Sequence, residues 1–417
     1  MIYLYIHSIP VLYNYDVLHG KDFVMKKALM LTVLFSLALM LTAQDADTVI
    51  ETYKRNFARS SLGTKLELLK EAASYTNINM GPLYDSALLF VLDNATILGN
   101  DALLREMTLF SVEMVKKYQY SPSAGTVWKL FLTFRDSSIR VPILQALAVI
   151  GKDNQEVIAS MNNFLNTQNT LFRAGEVIDM QVMDAMLFAL GKIGNKDSFA
   201  PIFTAYSLGY SEAITKRAQT AIDSLGFDVG AMLNEIISRN QPVEKLAALK
   251  IALQLTTLPK EKRGELAENA LRVGTSSKSD IQLDQNALIE LRLYAARELT
   301  NLKWQSASSV AIQHFQDFQT QYARNHIPKS YFLEAIALLG AVSTTEAAQT
   351  LALYLQYINT QMEQGKASDE QITLAVIYNL GLLGDKIAFD QLLYVSYLQY
   401  SDTIKKAAQE ALQKLRW

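Results

Sequence analysis

Only two imidazoles lie beyond residue 43, His314 and His326. No HExxH, no second His at helical spacing and no acidic loop accompanies either one, so the converging ligand set of a metal centre is not expected. The chain contains no Cys, which excludes disulfides, a thiolate nucleophile, Cys-ligated zinc and an anchor through a lipidated Cys. No G-x-S-x-G elbow or G-x-x-x-x-G-K-[ST] phosphate loop occurs, and Gly191-Lys192-Ile193-Gly194 reads as a helix end. Carboxylate pairs such as Glu67 and Glu71 fall at i, i+4, which sets both on one solvated helix face. General acid–base chemistry needs carboxylates that converge across a cleft. The Asn94-Ala95-Thr96 sequon reads as a chance occurrence. Neither a cofactor nor a metal is expected.

The tyrosines offer recognition chemistry instead. Tyr394, Tyr397 and Tyr400 run at i, i+3, i+6; Tyr206 and Tyr210 occupy the matching end of an earlier, similar segment; Tyr354 and Tyr357 share another helix. A Tyr ring brings apolar area and a hydroxyl to an interface at low entropic cost. These seven are the candidate protein-binding residues, with packing between modules as the competing reading. The charge balance, 39 Lys and Arg against 41 Asp and Glu, leaves no basic stripe to displace the counterions of nucleic acid, so no nucleic-acid partner is expected.

What must position these groups is a repeat. Residues 190–225 align without a gap on residues 380–415, an offset of 190, with about two in five positions identical. Gly191, Gly194, Phe199, Tyr210, Ser211, Ile214, Lys216, Ala218, Gln219, Ala221 and Leu225 recur as Gly381, Gly384, Phe389, Tyr400, Ser401, Ile404, Lys406, Ala408, Gln409, Ala411 and Leu415. Apolar residues at i, i+3, i+4, i+7 predict helix almost throughout the chain after Asp45. The predicted pairs are 179–193 with 196–208, 211–225 with 229–238, 243–256 with 260–272, 286–301 with 305–323, 329–340 with 344–361, and 370–383 with 386–398. A last helix spans 402–415. Thr64/Glu67 and Ser368/Gln371 read as capping boxes. Gly151, Gly194, Gly226, Gly340 and Gly384 each follow an apolar residue and read as left-handed C-caps. Residues 274–286 and 361–371 read as longer loops.

The strings ALAVIGKDNQEVI (146–158), ALGKIGNKDSFAPI (189–202), ALLGAVSTTEAAQTL (337–351) and NLGLLGDKIAFDQL (379–392) resemble HEAT and HEAT-like repeats. The resemblance covers residues 135–417 well and 45–134 poorly. It implies an all-α fold, a right-handed α-solenoid of stacked antiparallel helix pairs, whose second helices line a concave partner groove. On this reading residues 135–417 are the repeat solenoid and 44–134 an N-terminal helical region or cap.

Met25-Lys26-Lys27, the apolar run Ala28–Leu41 and Ala43 have the three parts of a secretory signal peptide, assigned to residues 25–43. The run falls short of the ~20 apolar residues of a membrane span. Export to a bacterial periplasm or the medium is expected, with no integral span after cleavage; residues 1–24 then lie upstream of the true start. The terminal Leu415-Arg416-Trp417 reads as a cap on the last module. The functional expectation is a non-catalytic scaffold or adaptor that binds a protein of the cell envelope along its curved surface, its oligomeric state open. The alternatives are an envelope hydrolase with a carboxylate site in the groove and a membrane-anchored structural subunit of an envelope complex.

Overall fold

A computed structural model describes residues 46–416; the predicted signal segment, the stretch before it and Trp417 lie outside the described residues. These residues are helical, joined by turns and short 3-10 segments, and the one strand-like pairing among them is an isolated bridge between Asp385 and Arg416. None of their helices is long and apolar enough to cross a membrane. The chain divides into two compact units, the first ending at Val157 and the second beginning at Ile158.

In the first unit a helix over residues 46–59 (α1) is followed by α2 (Leu62–Ala72), α3 (Gly81–Leu98), α4 (Ala102–Lys117), α5 (Ala124–Thr133) and α6 (Ser137–Ile150). Helix α4 packs against α2, α3 and α6, and α5 against α3 and α6. Helix α7 (Gln155–Arg173) starts just before the division. The second unit continues with α8 (Met180–Ile193), α9 (Phe199–Leu208), α10 (Glu212–Asp223), α11 (Val229–Arg239), α12 (Pro242–Gln254), α13 (Lys260–Ser276) and α14 (Gln282–Leu302). It ends with α15 (Ser308–Ala323), α16 (Lys329–Val342), α17 (Thr345–Glu363), α18 (Glu370–Leu383), α19 (Phe389–Tyr394) and α20 (Asp402–Leu412). From α12 onward each even-numbered helix packs on the next even one, and from α11 onward each odd one on the next odd one, so two layers run side by side. The core is the seam between them, filled by residues such as Leu291, Phe315, Phe332, Leu339, Leu355 and Leu380.

The predicted helix pairs match these elements closely, and the discrepancies have physical causes. The N-cap of α2 is Ser61, which accepts from Thr64 N, so Thr64 lies inside the helix and is no capping-box residue. The N-cap of α18 is Asp369 rather than Ser368: its carboxylate accepts from Gln371 N at 3.0 Å and Ile372 N at 3.2 Å, and its charge suits the positive end of the helix. Gly194, Gly226 and Gly384 adopt positive φ, as expected, but Gly151 has φ −89° and Gly340 lies inside α16, which runs on to a left-handed Ser343. Gly340 is glycine for another reason: a Cβ there would overlap the side-chain amide of Asn379 on α18.

One device recurs without a sequence signature. The fourth residue of α2, α6 and α12 is a buried cation, Lys65, Arg140 and Lys245. Each turns back to the carbonyls that end the preceding helix. Lys65 Nζ donates to Phe57 O and to Ala58 O (3.2 Å), Arg140 Nε to Phe131 O and Phe134 O (3.1 and 2.7 Å), and Lys245 Nζ to Ile237 O (2.8 Å). Carbonyls at a helix C-terminus lack intrahelical donors and carry partial negative charge, so a buried cation finds compensation there.

Candidate functional site

The 190-residue repeat is longer in the structure than its dense stretch of identities. Asn169, Thr170, Gly175, Asp179, Gln181 and Ala185 recur as Asn359, Thr360, Gly365, Asp369, Gln371 and Ala375, and α7–α10 correspond to α17–α20 element by element. Gly175 and Gly365 both have positive φ. Asp179 and Asp369 both cap the next helix by accepting two backbone N–H groups. Ser211 and Ser401 cap α10 and α20, each accepting one backbone N–H, from Ile214 and Ile404.

The duplicate pair Tyr210 and Tyr400 belongs to this machinery. Tyr210 Oη donates to Asn169 Oδ1 at 2.9 Å, and Asn169 Nδ2 donates to Pro201 O at 3.0 Å. In the second copy Tyr400 Oη donates to Asn359 Oδ1 at 3.0 Å, and Asn359 Nδ2 to Gln391 O at 3.1 Å. Burial raises both phenols to about 12. Both rings are buried, so these two candidates hold helices together and offer no face to a partner.

The other five tyrosines differ in exposure. Tyr206, on α9, is half-buried, and its hydroxyl is pushed up by burial and then by Tyr294 of α14. Tyr354 is wedged edge-on against Phe315 and Phe332, with ring centroids 5.5 and 5.6 Å away. Tyr357 stacks on Tyr354 at 6.1 Å and is 55% exposed. Tyr394 donates to Glu363 Oε1 at 3.0 Å across the α17/α19 seam, and Tyr397 beyond it is 74% exposed. Of the seven, Tyr357, Tyr394 and Tyr397 present an accessible surface.

A different face carries a deeper feature. Between α14, α16 and α18, all of the even-numbered layer, lies a trough of about 800 Å³. It is lined by Leu333, Ala337, Gly340 and Ala341 of α16, by Leu374, Tyr378 and Leu382 of α18, and by Thr300 of α14 and Lys303 at its end. Tyr378 is 59% and Leu382 50% exposed. Leu374, Tyr378 and Leu382 are spaced by four, as are Leu333, Ala337 and Ala341, so each helix carries a second apolar stripe opposite the one it buries. The parallel alignment is pinned by Lys329 Nζ to Asp369 (3.0 Å) at one end and Thr345 Oγ1 to Asp385 (2.8 Å) at the other. Sequence reasoning missed these residues because an apolar residue on an apolar helix reads as core. The available signal was that α16 and α18 lack a polar face, which in a surface helix leaves apolar area unaccounted for.

The first copy treats the same positions differently. Leu374, Tyr378 and Leu382 correspond to Asp184, Phe188 and Lys192. Asp184 is paired with Arg217 at 2.7 Å, and that guanidinium lies 5.7 Å from the Phe188 ring. Arg217 corresponds to Ala407. The stripe carries two charged residues in one copy, Asp184 and Lys192, and none in the other.

The His residues form no site. His314 is fully buried on α15. Arg292 Nε and Nη2 approach its Nδ1 at 3.1 and 3.0 Å, and Arg292 Nη1 pairs with Asp317 at 2.6 Å. A guanidinium only donates, so Nδ1 accepts and the proton of the neutral ring sits on Nε2, which has no hydrogen-bond partner. Burial and then the Arg292 charge hold the His314 pKa well below its usual 6.5. His326 lies in the turn before Pro328, outside any helix. Among the described residues no three His, Asp or Glu side chains stand close enough to hold a metal ion. The carboxylates with shifted pKa, Asp136, Asp223 and Asp369, are all shifted down. No protein-family model matches the chain, and no curated protein does so either.

Proposed function

We propose that this chain is an exported, non-catalytic scaffold of HEAT-like helix pairs, stacked as an α-solenoid, that binds another protein of the cell envelope. The observation that carries the reading is the open apolar trough along α16 and α18. An apolar hollow rimmed by polar residues is costly to leave in water and is characteristic of interaction sites. The layered packing of neighbouring helices supports the solenoid arrangement. The downward shifts of Asp136, Asp223 and Asp369 suit carboxylates that stabilise helix ends and ion pairs, not a general acid, whose pKa must be raised. The test is in-cell crosslinking and mass spectrometry on natively expressed protein. The expected result is reproducible crosslinks from Lys303 and Lys414 to a single envelope protein. A monomer with no crosslinks above background would sink the scaffold reading.

A further inference from the structure

We propose, resting on that protein-binding reading, that the α16/α18 trough receives one amphipathic helix of the partner, with acidic residues flanking its apolar stripe. Shape argues for a helix. The stripes Leu333–Ala341 and Leu374–Leu382 each run over nine residues, so their ends lie about 12 Å apart at 1.5 Å per residue, which accommodates roughly two helical turns. The lining sets the small residues Ala337, Gly340 and Ala341 of α16 beside the large Leu374, Tyr378 and Leu382 of α18, a surface that suits large side chains spaced by three or four on an incoming helix. An extended strand needs an open sheet edge, and the trough is built wholly from helices and their ends. A polyproline segment needs a groove lined by aromatic rings, and Tyr378 is the only aromatic residue in this lining.

Charge selects the flanks. The lining includes Lys303 and no carboxylate. Lys303 caps α14 with a left-handed backbone, is exposed, and forms no ion pair among the described residues. On the opposite side Lys414 Nζ lies 5.8 Å from the Tyr378 ring. Along these helices Glu334 is held by Arg297 in a two-pronged pair at 2.7 and 2.8 Å and Asp369 by Lys329, while Glu370 and Asp385 accept from the hydroxyls of Ser401 and Thr345. Two lysines therefore border an apolar channel with their charge unspent, complementary to Glu or Asp on each side of an apolar stripe. The duplication is an independent argument. In the first copy this stripe is Asp184, Phe188 and Lys192, with Arg217 paired to Asp184, whereas in the second it is Leu374, Tyr378 and Leu382, with no charged side chain. Two copies of one module that differ on a surface stripe, with their buried locks intact, differ in what that stripe meets.

The test uses the chain from residue 44 and two fluorescein-labelled 15-residue helical peptides in fluorescence anisotropy. Both carry Leu at three positions spaced by four; one has Glu on both flanks of that stripe and the other Lys. The Glu peptide is expected to bind at least roughly tenfold more tightly than the Lys peptide. Leu382→Glu should weaken the Glu peptide about thirtyfold, because it replaces an apolar contact by a carboxylate that also repels the peptide's own Glu residues. Lys303→Glu with Lys414→Glu should reverse the preference. Leu382 is half exposed and both lysines are exposed, so none of these variants endangers folding, and far-UV circular dichroism checks this. Equal binding of the two peptides, no binding of either, or binding unaffected by Leu382→Glu overturns the proposal. So does an apolar dye whose binding responds to Leu382→Glu but is not displaced by the Glu peptide, which would make the trough a small-molecule site. A photo-crosslinking residue at position 378 separates the two readings. One discrete envelope protein captured there while the Glu peptide fails to bind leaves a protein-binding scaffold and rejects the helical ligand. Failure of both removes the scaffold reading as well.

Discussion

Acidification from pH 7 to pH 5 should destabilise this protein through a single side chain. In the folded chain His314 is neutral: Arg292 occupies its Nδ1 with two N–H groups, and burial disfavours a second cation beside the first. In the unfolded chain the same imidazole titrates near 6.5. Below that pH the unfolded state binds a proton that the folded state refuses, so stability falls as pH falls, until the folded pKa is reached. The linkage term RT ln(1 + 10^(6.5 − pH)) is small at pH 7 and reaches about 2 kcal/mol at pH 5, which sets an upper bound of roughly 2 kcal/mol on the loss across the interval. The shifted aspartates, all depressed, take effect only as pH drops through the carboxylate range, below this window. Urea unfolding at the two pH values, followed by circular dichroism, gives the difference. His314→Gln keeps an acceptor for Arg292 and cannot titrate, so its stability should be nearly flat between pH 7 and pH 5. If wild type is equally stable at both values, or His314→Gln loses as much as wild type, the assignment of a buried neutral imidazole is wrong.

Asn359→Ala should cost about 1–3 kcal/mol, because it strands the buried Tyr400 hydroxyl and the Gln391 carbonyl together; Asn169→Ala should cost a similar amount, and urea midpoints compare the two. Gly340→Ala should destabilise by more than 1 kcal/mol, since its methyl group meets Asn379, and Asn379→Ala should recover part of that loss in a double-mutant cycle. Lys245→Ala should cost about 1–3 kcal/mol by leaving the buried Ile237 carbonyl without its donor, whereas Tyr397→Ala, on an exposed ring, should change stability by less than about 0.5 kcal/mol; thermal unfolding of the two variants side by side measures the contrast.

Helix positions were legible because an amphipathic period of 3.6 is imposed by the core itself, and the two layers use it in nearly every element. Half of the duplication was legible too, from Gly191 to Leu225, where close helix contacts constrain residue after residue: a Cβ at Gly191 would stand 2.8 Å from the Ala221 Cα. The other half hid because its identities are sparse: α7 and α17 share few residues, Asn169 and Thr170 with their counterparts among them, and Gly175 and Asp179 follow after the helix, scattered among residues that differ. Tyr210 and Tyr400 could not be told from surface tyrosines, since nothing local reveals an asparagine 41 positions away. The buried cations Lys65, Arg140 and Lys245 read as solvated charges because their partners are main-chain carbonyls, which every sequence has. The trough was invisible for the opposite reason: apolarity says that a residue avoids water without saying which neighbour relieves it.

The asparagine–tyrosine lock also bears on how such a chain can grow. Each lock ties three places together, Asn169 on α7, the Pro201 carbonyl on α9 and Tyr210 before α10. A copying breakpoint anywhere between residues 169 and 210 would deliver one half of the lock without the other, burying an amide or a phenol with nothing to bond. Copying a single helix pair therefore starts with a folding penalty, whereas copying α7 through α10 carries the lock whole. The shortest stretch that carries the circuit whole runs from α7 through α9 to Tyr210, three helices and the turn before the fourth, which is longer than one helix pair.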